Sequence, residues 1–360
     1  MSECEFWEYG LDEFMQHLKD EAYKNRIPLK GGFELTPRCN FNCNMCYVHL
    51  KPDEIPAVGR ELTTQEWIGL AREAQQAGTL ELTLTGGEPF VRPDFREIYE
   101  TLHDMGFLIQ IFSNGYLINE DTVAWLKARP PKSVRFTLYG ASDAGYEKVC
   151  GISGGFTRVK QSVKLLKEAG IPLYLVATVT KENVHEIDSM YRFAAENNLP
   201  MIHTTSLINP VRGASAKAKE HQIEPALPPV EEIRRIREQS GGKFPRKPCT
   251  DFMKVCKSYR CGYWITWDGS MQLCTFLSDP AVPFVPGKFV ERWHTLLEKL
   301  EQLRQPEKCS SCIYEQYCER CPGLLYAEAG ENGKISDEFC RKAERTYFVY
   351  GKPLDEIAPK

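Results

Sequence analysis

From Phe33 to Leu207 the chain alternates short β-rich runs with amphipathic helical stretches, and few folds accommodate that order. Candidate strands are Phe33–Thr36, Leu80–Thr85, Leu108–Ser113, Ser133–Tyr139, Leu173–Val179 and Met201–Ser206. Helix signals lie between them. Thr63 with Glu66 makes a capping box ahead of Trp67-Ile68-Gly69-Leu70. Pro93 suits the first turn of a helix carrying Phe95, Ile98, Tyr99 and Leu102. Asn119 and Asn183 are candidate caps, and Gly170 closes a helix containing Val163, Leu165 and Leu166. Six βα units in series imply parallel strands with right-handed crossovers, in an open doubly wound sheet or a barrel. In either architecture function gathers at the carboxyl ends of the strands. The second strand, Leu80-Glu81-Leu82-Thr83-Leu84-Thr85, alternates apolar and polar residues where a buried parallel strand more often reads apolar throughout. It predicts either a wet, substrate-lined face or hydrogen-bonded polar groups in the core.

The chemistry is concentrated in cysteines. Cys39, Cys43 and Cys46 stand in a C-x₃-C-x₂-C run just after the first strand. Three thiolates on one short loop can hold an iron–sulfur cubane and leave one iron without a protein ligand. Ferredoxin runs ligate their clusters fully and only move electrons; an open iron points to chemistry on a small molecule. With Gly86-Gly87-Glu88-Pro89 after the second strand, the run resembles the radical S-adenosylmethionine (SAM) superfamily. That resemblance implies a partial (β/α)₆ TIM-like barrel whose unique iron is chelated by SAM. It places Gly86, Gly87, Glu88 and Pro89 around the methionine end, with Glu88 at its amino group. Ser113 and Asn114, ending the third strand, would lie near the ribose or carboxylate.

Composition narrows the class. A 360-residue chain that is 42% hydrophobic and 26% charged suits a soluble protein of one large domain with an appendage, or two medium ones. No apolar run approaches the roughly 18–20 residues of a membrane span, and the start Met-Ser-Glu-Cys-Glu is not a secretory signal. The reading is cytoplasmic, with no membrane partner. A net charge of −4 and only a loose basic scatter (Lys243, Arg246, Lys247, Lys254, Lys257, Arg260) argue against nucleic acid. Fourteen cysteines in such a compartment read as metal ligands rather than disulfides. Cys4, Cys150 and Cys249 stand outside the patterned groups and read as incidental or buried thiols.

The second group runs Cys256, Cys261, Cys274, then Cys309, Cys312, Cys318, Cys321 and Cys340. Trp267-Asp268-Gly269-Ser270 reads as a hairpin turn that brings Cys261 and Cys274 together. Eight thiols can make two four-thiolate sites, and spacing alone allows zinc or iron–sulfur. The layout is similar to the SPASM extension of radical SAM enzymes that modify peptides and proteins. The resemblance implies a C-terminal cysteine-rich iron–sulfur domain with two auxiliary [4Fe–4S] clusters, three in all. Cys256, Cys261, Cys274 and Cys321 would hold auxiliary cluster I, and Cys309, Cys312, Cys318 and Cys340 auxiliary cluster II. Only two residues separate Cys318 from Cys321 where many members have three, which touches the ligand assignment and not the domain. Domain bounds follow: an N-terminal extension at 1–32 with a helix near Glu5–Tyr23, the core at 33–208, a linker with a short helix at 209–248, the SPASM domain at 249–345 and a tail at 346–360.

The resemblance also implies the reaction. An electron from a flavodoxin or ferredoxin would drive SAM cleavage to a 5′-deoxyadenosyl radical that abstracts hydrogen from substrate, and auxiliary clusters would carry an electron away. Sulfatase-maturating enzymes of this architecture place an Asp base just after the third auxiliary cysteine. Here that residue is Thr275, which cannot act as a base near neutral pH. A ribosomally synthesised peptide, oxidised or cross-linked, is the expected substrate. With 38 residues before Cys39, leader binding would need a separate protein or another surface. The alternatives are a small-molecule substrate, such as a porphyrin-like side-chain decarboxylation, and a non-enzymatic iron–sulfur or zinc scaffold. Tyr263, Trp264, Trp267 and Asp268 face substrate or pack the hairpin; Tyr139 is a pocket candidate, and His49 a loop histidine.

Overall fold

A computed structural model describes residues 11–223, 230–239, 252–329, 334–353 and 356. Cys4, Cys249, the basic residues Lys243, Arg246 and Lys247, and the start of the expected N-terminal helix lie outside the described residues. The strands are β1 Lys30–Glu34, β2 Glu81–Thr85, β3 Leu108–Ser113, β4 Ser133–Leu138, β5 Leu173–Thr178 and β6 Met201–Thr204. After them come β7 Gly262–Ile265, β8 Ser270–Gln272 and β9 Val282–Pro283. The sheet order is β6-β5-β4-β3-β2-β1-β7-β8-β9. β1 to β6 pair in parallel, each with its sequence neighbour. β6 does not close back on β1, so the (β/α)₆ barrel is partial.

Helices cover the outer face. Phe33 packs its ring 5.1 Å from that of Trp67 on helix Thr64–Gln76, and Leu82, Leu84, Ile109, Ile111, Val134 and Phe136 are buried in the same core. Because side chains alternate along a strand, Glu34, Thr83, Thr85, Gln110 and Arg135 take the opposite, inner face. The polar residues of the second strand therefore take the inner face of the sheet.

Local signals were mostly obeyed. Thr63 and Glu66 form the capping box, and Asn119 accepts from Thr122 N. Gly170, at φ +72°, follows helix Gly155–Glu168. Two expectations are corrected. Pro93 precedes the N-cap Asp94 of helix Phe95–Asp104 and is not in its first turn. Asn183 caps nothing with its side chain. Fully buried, it accepts from Thr180 N at 2.7 Å and donates to the carbonyls of Tyr139 and Thr178 at 2.8 and 2.9 Å. It clamps the ends of β4 and β5 together.

β1 begins earlier than the expected Phe33 and ends at Glu34. Gly31 and Gly32 lie in it opposite Tyr263 and Trp264 of β7. A Cβ on Gly32 would sit 2.0 Å from the Trp264 ring, so the absence of a side chain is what admits the indole. β7 and β8 form the expected hairpin, with Gly269 at φ +89° in its turn. β7 also pairs in parallel with β1, so the hairpin continues the barrel sheet.

Candidate radical centre and the thiol groups

The cysteine loop leaves the carboxyl end of β1 and is tied down on both sides. Asn42 and Asn44 donate their backbone N–H groups to the carbonyls of Cys150 and Val149, at 3.0 Å each. Phe41, 3% exposed, plugs into the rings of Tyr116, Tyr139 and Tyr146 at 5.5, 6.1 and 6.3 Å. The sulfurs receive donors: Phe41 N lies 3.3 Å from Cys39 Sγ, His49 N 3.3 Å from Cys46 Sγ, and Asn114 Nδ2 3.7 Å from Cys39 Sγ. Burial and the carboxylate of Glu88 push the Cys39 thiol up, with Cys43 and Cys46 adding to the effect. Cys46 is pushed up to about 11 by burial and Cys43. The contact with the buried Cys150 thiol, then burial, raises Cys43. All three thiols of this loop are partly buried and unbridged.

The Gly86–Pro89 turn meets this loop through backbone alone. Gly87 N donates to Thr36 O at 2.7 Å and Glu88 N to Arg38 O at 2.9 Å. A Cβ at Gly86 or Gly87 would stand 2.5 or 2.4 Å from those same carbonyl oxygens, so side chains are excluded there. Glu88, fully buried, gathers the end of β3. Its carboxylate accepts from Asn114 N at 2.7 Å, from Ser113 Oγ at 3.0 and 3.1 Å, and from Phe90 N at 3.2 Å. Burial lifts its pKa to about 7 against those hydrogen bonds. Arg92 completes the scaffold by donating to Leu35 O at 2.8 Å while paired with Asp94 at 2.6 Å. All six residues expected around SAM, and the three expected thiols, thus meet at the carboxyl ends of β1, β2 and β3.

The C-terminal thiols fall into two sets by mutual influence. Cys256 is raised by burial and feels Cys321; Cys261 is raised by burial and feels Cys256. Burial pushes Cys274 up to about 12, with Cys256 and Cys321 adding to it. Cys309 is pushed up to about 11 by burial, then by Cys318, Cys340 and Cys312. Cys318 and Cys340, raised first by burial, both feel Cys312. Cys309, Cys312, Cys318 and Cys340 line one cavity of about 550 Å³. The twelve described cysteines are all thiols, none in a disulfide.

The aromatic expectation divides. Tyr263 and Trp267 are packing residues: Tyr263 lies among Phe289, Trp293 and Thr79, and Trp267 packs on Val48, Leu50 and Ile55. Asp268 holds the turn through Thr266 Oγ1 at 2.5 Å. Trp264 faces inward, its indole N–H 3.4 Å from Glu34 Oε2. Tyr139 lies beside the cysteine loop, near Cys43. His49 keeps to the loop, its pKa lowered by burial.

Sequence reading missed one pair. Glu34, 1% exposed at the end of β1, meets Arg212 at 2.7 Å. A carboxylate between Phe33 and Leu35 in the first expected strand was the available signal.

A family comparison now joins the geometry: residues 33–194 match the radical SAM superfamily. The chain carries a radical SAM domain. Over 326 residues the chain is 27% identical to an AdoMet-dependent heme synthase of Methanosarcina barkeri, covering 83% of this chain and 92% of that protein. It is 29% identical to a PqqA peptide cyclase of Gluconobacter oxydans over 45% of each chain. With the Bacillus subtilis sporulation killing factor maturation protein SkfB it shares 27% over 52% of this chain and 44% of that one. The fold matches Streptococcus suis SuiB bound to S-adenosylmethionine (TM-score 0.62, 17% identity, 92% of this chain and 84% of that one). It also matches anSMEcpe with bound AdoMet (TM-score 0.60, 15% identity, 92% and 99%).

The radical SAM domain fits its cofactors on the residues present. Cys39, Cys43 and Cys46 would hold the [4Fe–4S] cluster, and N–H donors to their sulfurs are the contacts that tune such clusters. Among the described residues no helix is long and apolar enough to cross a membrane.

Proposed function

We propose that the protein is a radical SAM enzyme that modifies a ribosomally synthesised peptide by oxidation or cross-linking. The observation that carries this is the three-thiol loop bonded, backbone to backbone, to the Gly86–Pro89 turn at the open ends of parallel strands. The cluster and SAM supply a 5′-deoxyadenosyl radical for hydrogen abstraction. The protein's part is placement. Gly86, Gly87, Glu88, Pro89, Ser113 and Asn114 form the SAM site, and Asn114 joins that site to the cluster loop through Cys39. The peptide reading draws on the PqqA cyclases and SkfB, of whose lengths this chain spans under half.

Two auxiliary [4Fe–4S] clusters belong to this reading, held by Cys256, Cys261, Cys274 and Cys321 and by Cys309, Cys312, Cys318 and Cys340. The pairwise influences among those thiols support the partition. A flavodoxin or ferredoxin supplies electrons, a separate protein or another surface of this one binds the leader, and the work is done in the cytoplasm. Sulfatase maturation is disfavoured by Thr275. A second reading has an observation of its own: the heme synthase aligns over nearly its whole length, which favours a tetrapyrrole substrate.

Anaerobic reconstitution with iron and sulfide tests the core. The expected result is about twelve irons, falling by about four with loss of 5′-deoxyadenosine in a Cys39/Cys43/Cys46→Ala variant. Reconstituted wild type that leaves SAM intact under a strong reductant would end the proposal.

A further inference from the structure

Glu34 and Arg212 make a buried ion pair on the inner side of the barrel, beside the third cysteine of the radical loop. Glu34 ends β1, and its charge is felt by Cys46 and Tyr47. Arg212 comes from the segment after β6. That segment is docked on the cysteine loop by Val211 N donating to Tyr47 O at 2.9 Å. Arg212 takes φ +53°, a left-handed conformation that a long side chain rarely adopts without surrounding constraint. The chain is therefore held in an unfavourable conformation where it delivers this guanidinium.

The pair is incompletely used. Glu34 Oε2 takes Arg212 Nη2 at 2.7 Å and the Trp264 indole at 3.4 Å, while Oε1 is buried with no hydrogen-bond partner among the described residues. Arg212 Nε and Nη1 are likewise buried and without partners there. The Thr275 side chain, at the position discussed above for a base, is engaged by Tyr47 of the cysteine loop. Buried polar groups are nearly always satisfied, and specific exceptions point to a missing partner.

The charge balance selects that partner. The pair itself is neutral, and Asp268 adds a further negative influence on Glu34. A substrate carboxylate would put a third anion around one guanidinium in a poorly solvated place, which is unfavourable. A neutral group with both an acceptor and a donor serves both sides of the pair: its carbonyl accepts from a free Arg212 N–H and its N–H donates to Glu34 Oε1. We infer that Glu34 and Arg212 read a neutral amide of the substrate, a peptide bond or an Asn/Gln side chain, and hold it against the radical centre. This rests on the peptide reading above and sharpens it, because a tetrapyrrole offers propionates at its periphery instead.

The test uses reconstituted, unreduced holoenzyme saturated with SAM. Two probes, N-acetylglycine N-methylamide and propionate, are titrated by calorimetry into wild type, Glu34→Gln and Arg212→Lys. Wild type is expected to bind the diamide at least about fivefold more tightly than propionate. In Glu34→Gln, which leaves the guanidinium uncompensated, the preference should reverse. Arg212→Lys, which keeps the charge and loses the fork, should weaken the diamide. Preference of wild type for propionate overturns the inference and favours a carboxylate substrate. Absence of saturable diamide binding to wild type, or affinities unmoved by either substitution, makes the pair structural. Diamide binding seen only when the titration is repeated on SAM-free reconstituted enzyme would make Arg212 a SAM contact and also overturn it. The wild-type comparison decides even if a variant fails to fold. Failure of the radical SAM reading itself shows separately, as absence of 5′-deoxyadenosine from reduced wild type.

Discussion

Replacing Gly32 by alanine tests the seam between the barrel and the hairpin. The added Cβ would lie 2.0, 2.3 and 2.7 Å from Cε3, Cζ3 and Cδ2 of Trp264. Carbon atoms rest at about 3.5–4.0 Å, so the indole must retreat by about 1.5 Å. It cannot slide along the strand, because Gly32 and Trp264 are paired in register between β1 and β7. Overpacking of this kind costs about 1–3 kcal/mol. Retreat also breaks the indole contact to Glu34, and a buried donor left without a partner costs about 1–3 kcal/mol more. A total near 4 kcal/mol would lower the melting temperature of a chain this size by several degrees, at about 2 °C per kcal/mol. Gly69→Ala is the control. It lies inside helix Thr64–Gln76 with open space where its Cβ would go, so the same chemical change should stabilise by about 0.5–1 kcal/mol. Thermal melts of the two reconstituted variants against wild type should move in opposite directions. A Gly32→Ala protein melting within about 1 °C of wild type would refute the packing argument.

The thiol partition predicts a pattern of iron loss. Cys256→Ala and Cys312→Ala should each lose about four irons, Cys256 with Cys321 no more than either alone, and Cys256 with Cys312 about eight; equal losses from the two double variants would erase the partition. Asn183→Ala removes three buried hydrogen bonds at the ends of β4 and β5 and should cost about 2–4 kcal/mol in urea unfolding, a loss under about 1 kcal/mol ruling out the clamp. Glu88 titrates near 7 in the fold against an ordinary value of 4.5. Its favourable contribution is therefore full below about 4.5 and lost as pH rises through 7, about 3 kcal/mol in all. Apo wild type should lose that much stability relative to Glu88→Gln across the window, and parallel stability–pH curves would show that Glu88 is ionised throughout.

The radical site was legible because its motifs are local. Three thiols on one loop, and a two-glycine turn admitting backbone to backbone, are written in contiguous residues, and the βα alternation fixed which strand ends they share. The capping box at Thr63 and the hairpin turn at Gly269 were readable for the same reason. What escaped depends on contacts distant in sequence. Gly31-Gly32 looks like a break until Tyr263 and Trp264 arrive from 232 residues later to fill the space. Asn183 looks like a cap, yet its amide does more for Tyr139 and Thr178. Arg212 sits in a stretch whose Pro and charge content reads as linker, and only the docking of Val211 on Tyr47 gives it a fixed place.

The register of β7 against β1 explains how the second thiol region is positioned. Lys30 N donates to Cys261 O at 3.1 Å, and the ladder then runs from Lys30–Gly262 to Phe33–Ile265. Cys261 is thereby fixed at the amino end of β1, while Cys39, Cys43 and Cys46 follow its carboxyl end. At about 3.3 Å per residue, a strand of this length separates the two levels by roughly 13–17 Å. The hairpin turns the chain back toward Cys261, with β8 antiparallel to β7 and Gln272 opposite Trp264, and Cys274 follows two residues later. Helix Phe289–Glu301 reinforces the placement. Its start is held by Glu73 of helix Thr64–Gln76, which accepts from Gly287 N and Phe289 N at 2.7 and 3.0 Å, and Trp293 donates to Arg26 O at 2.7 Å. One continuous sheet and one shared core thus set the distance between the thiol groups. A substitution that slips β7 on β1, as the indole at Gly32 resists, would move Cys261 relative to the radical loop and displace Trp264 from Glu34 in the same step.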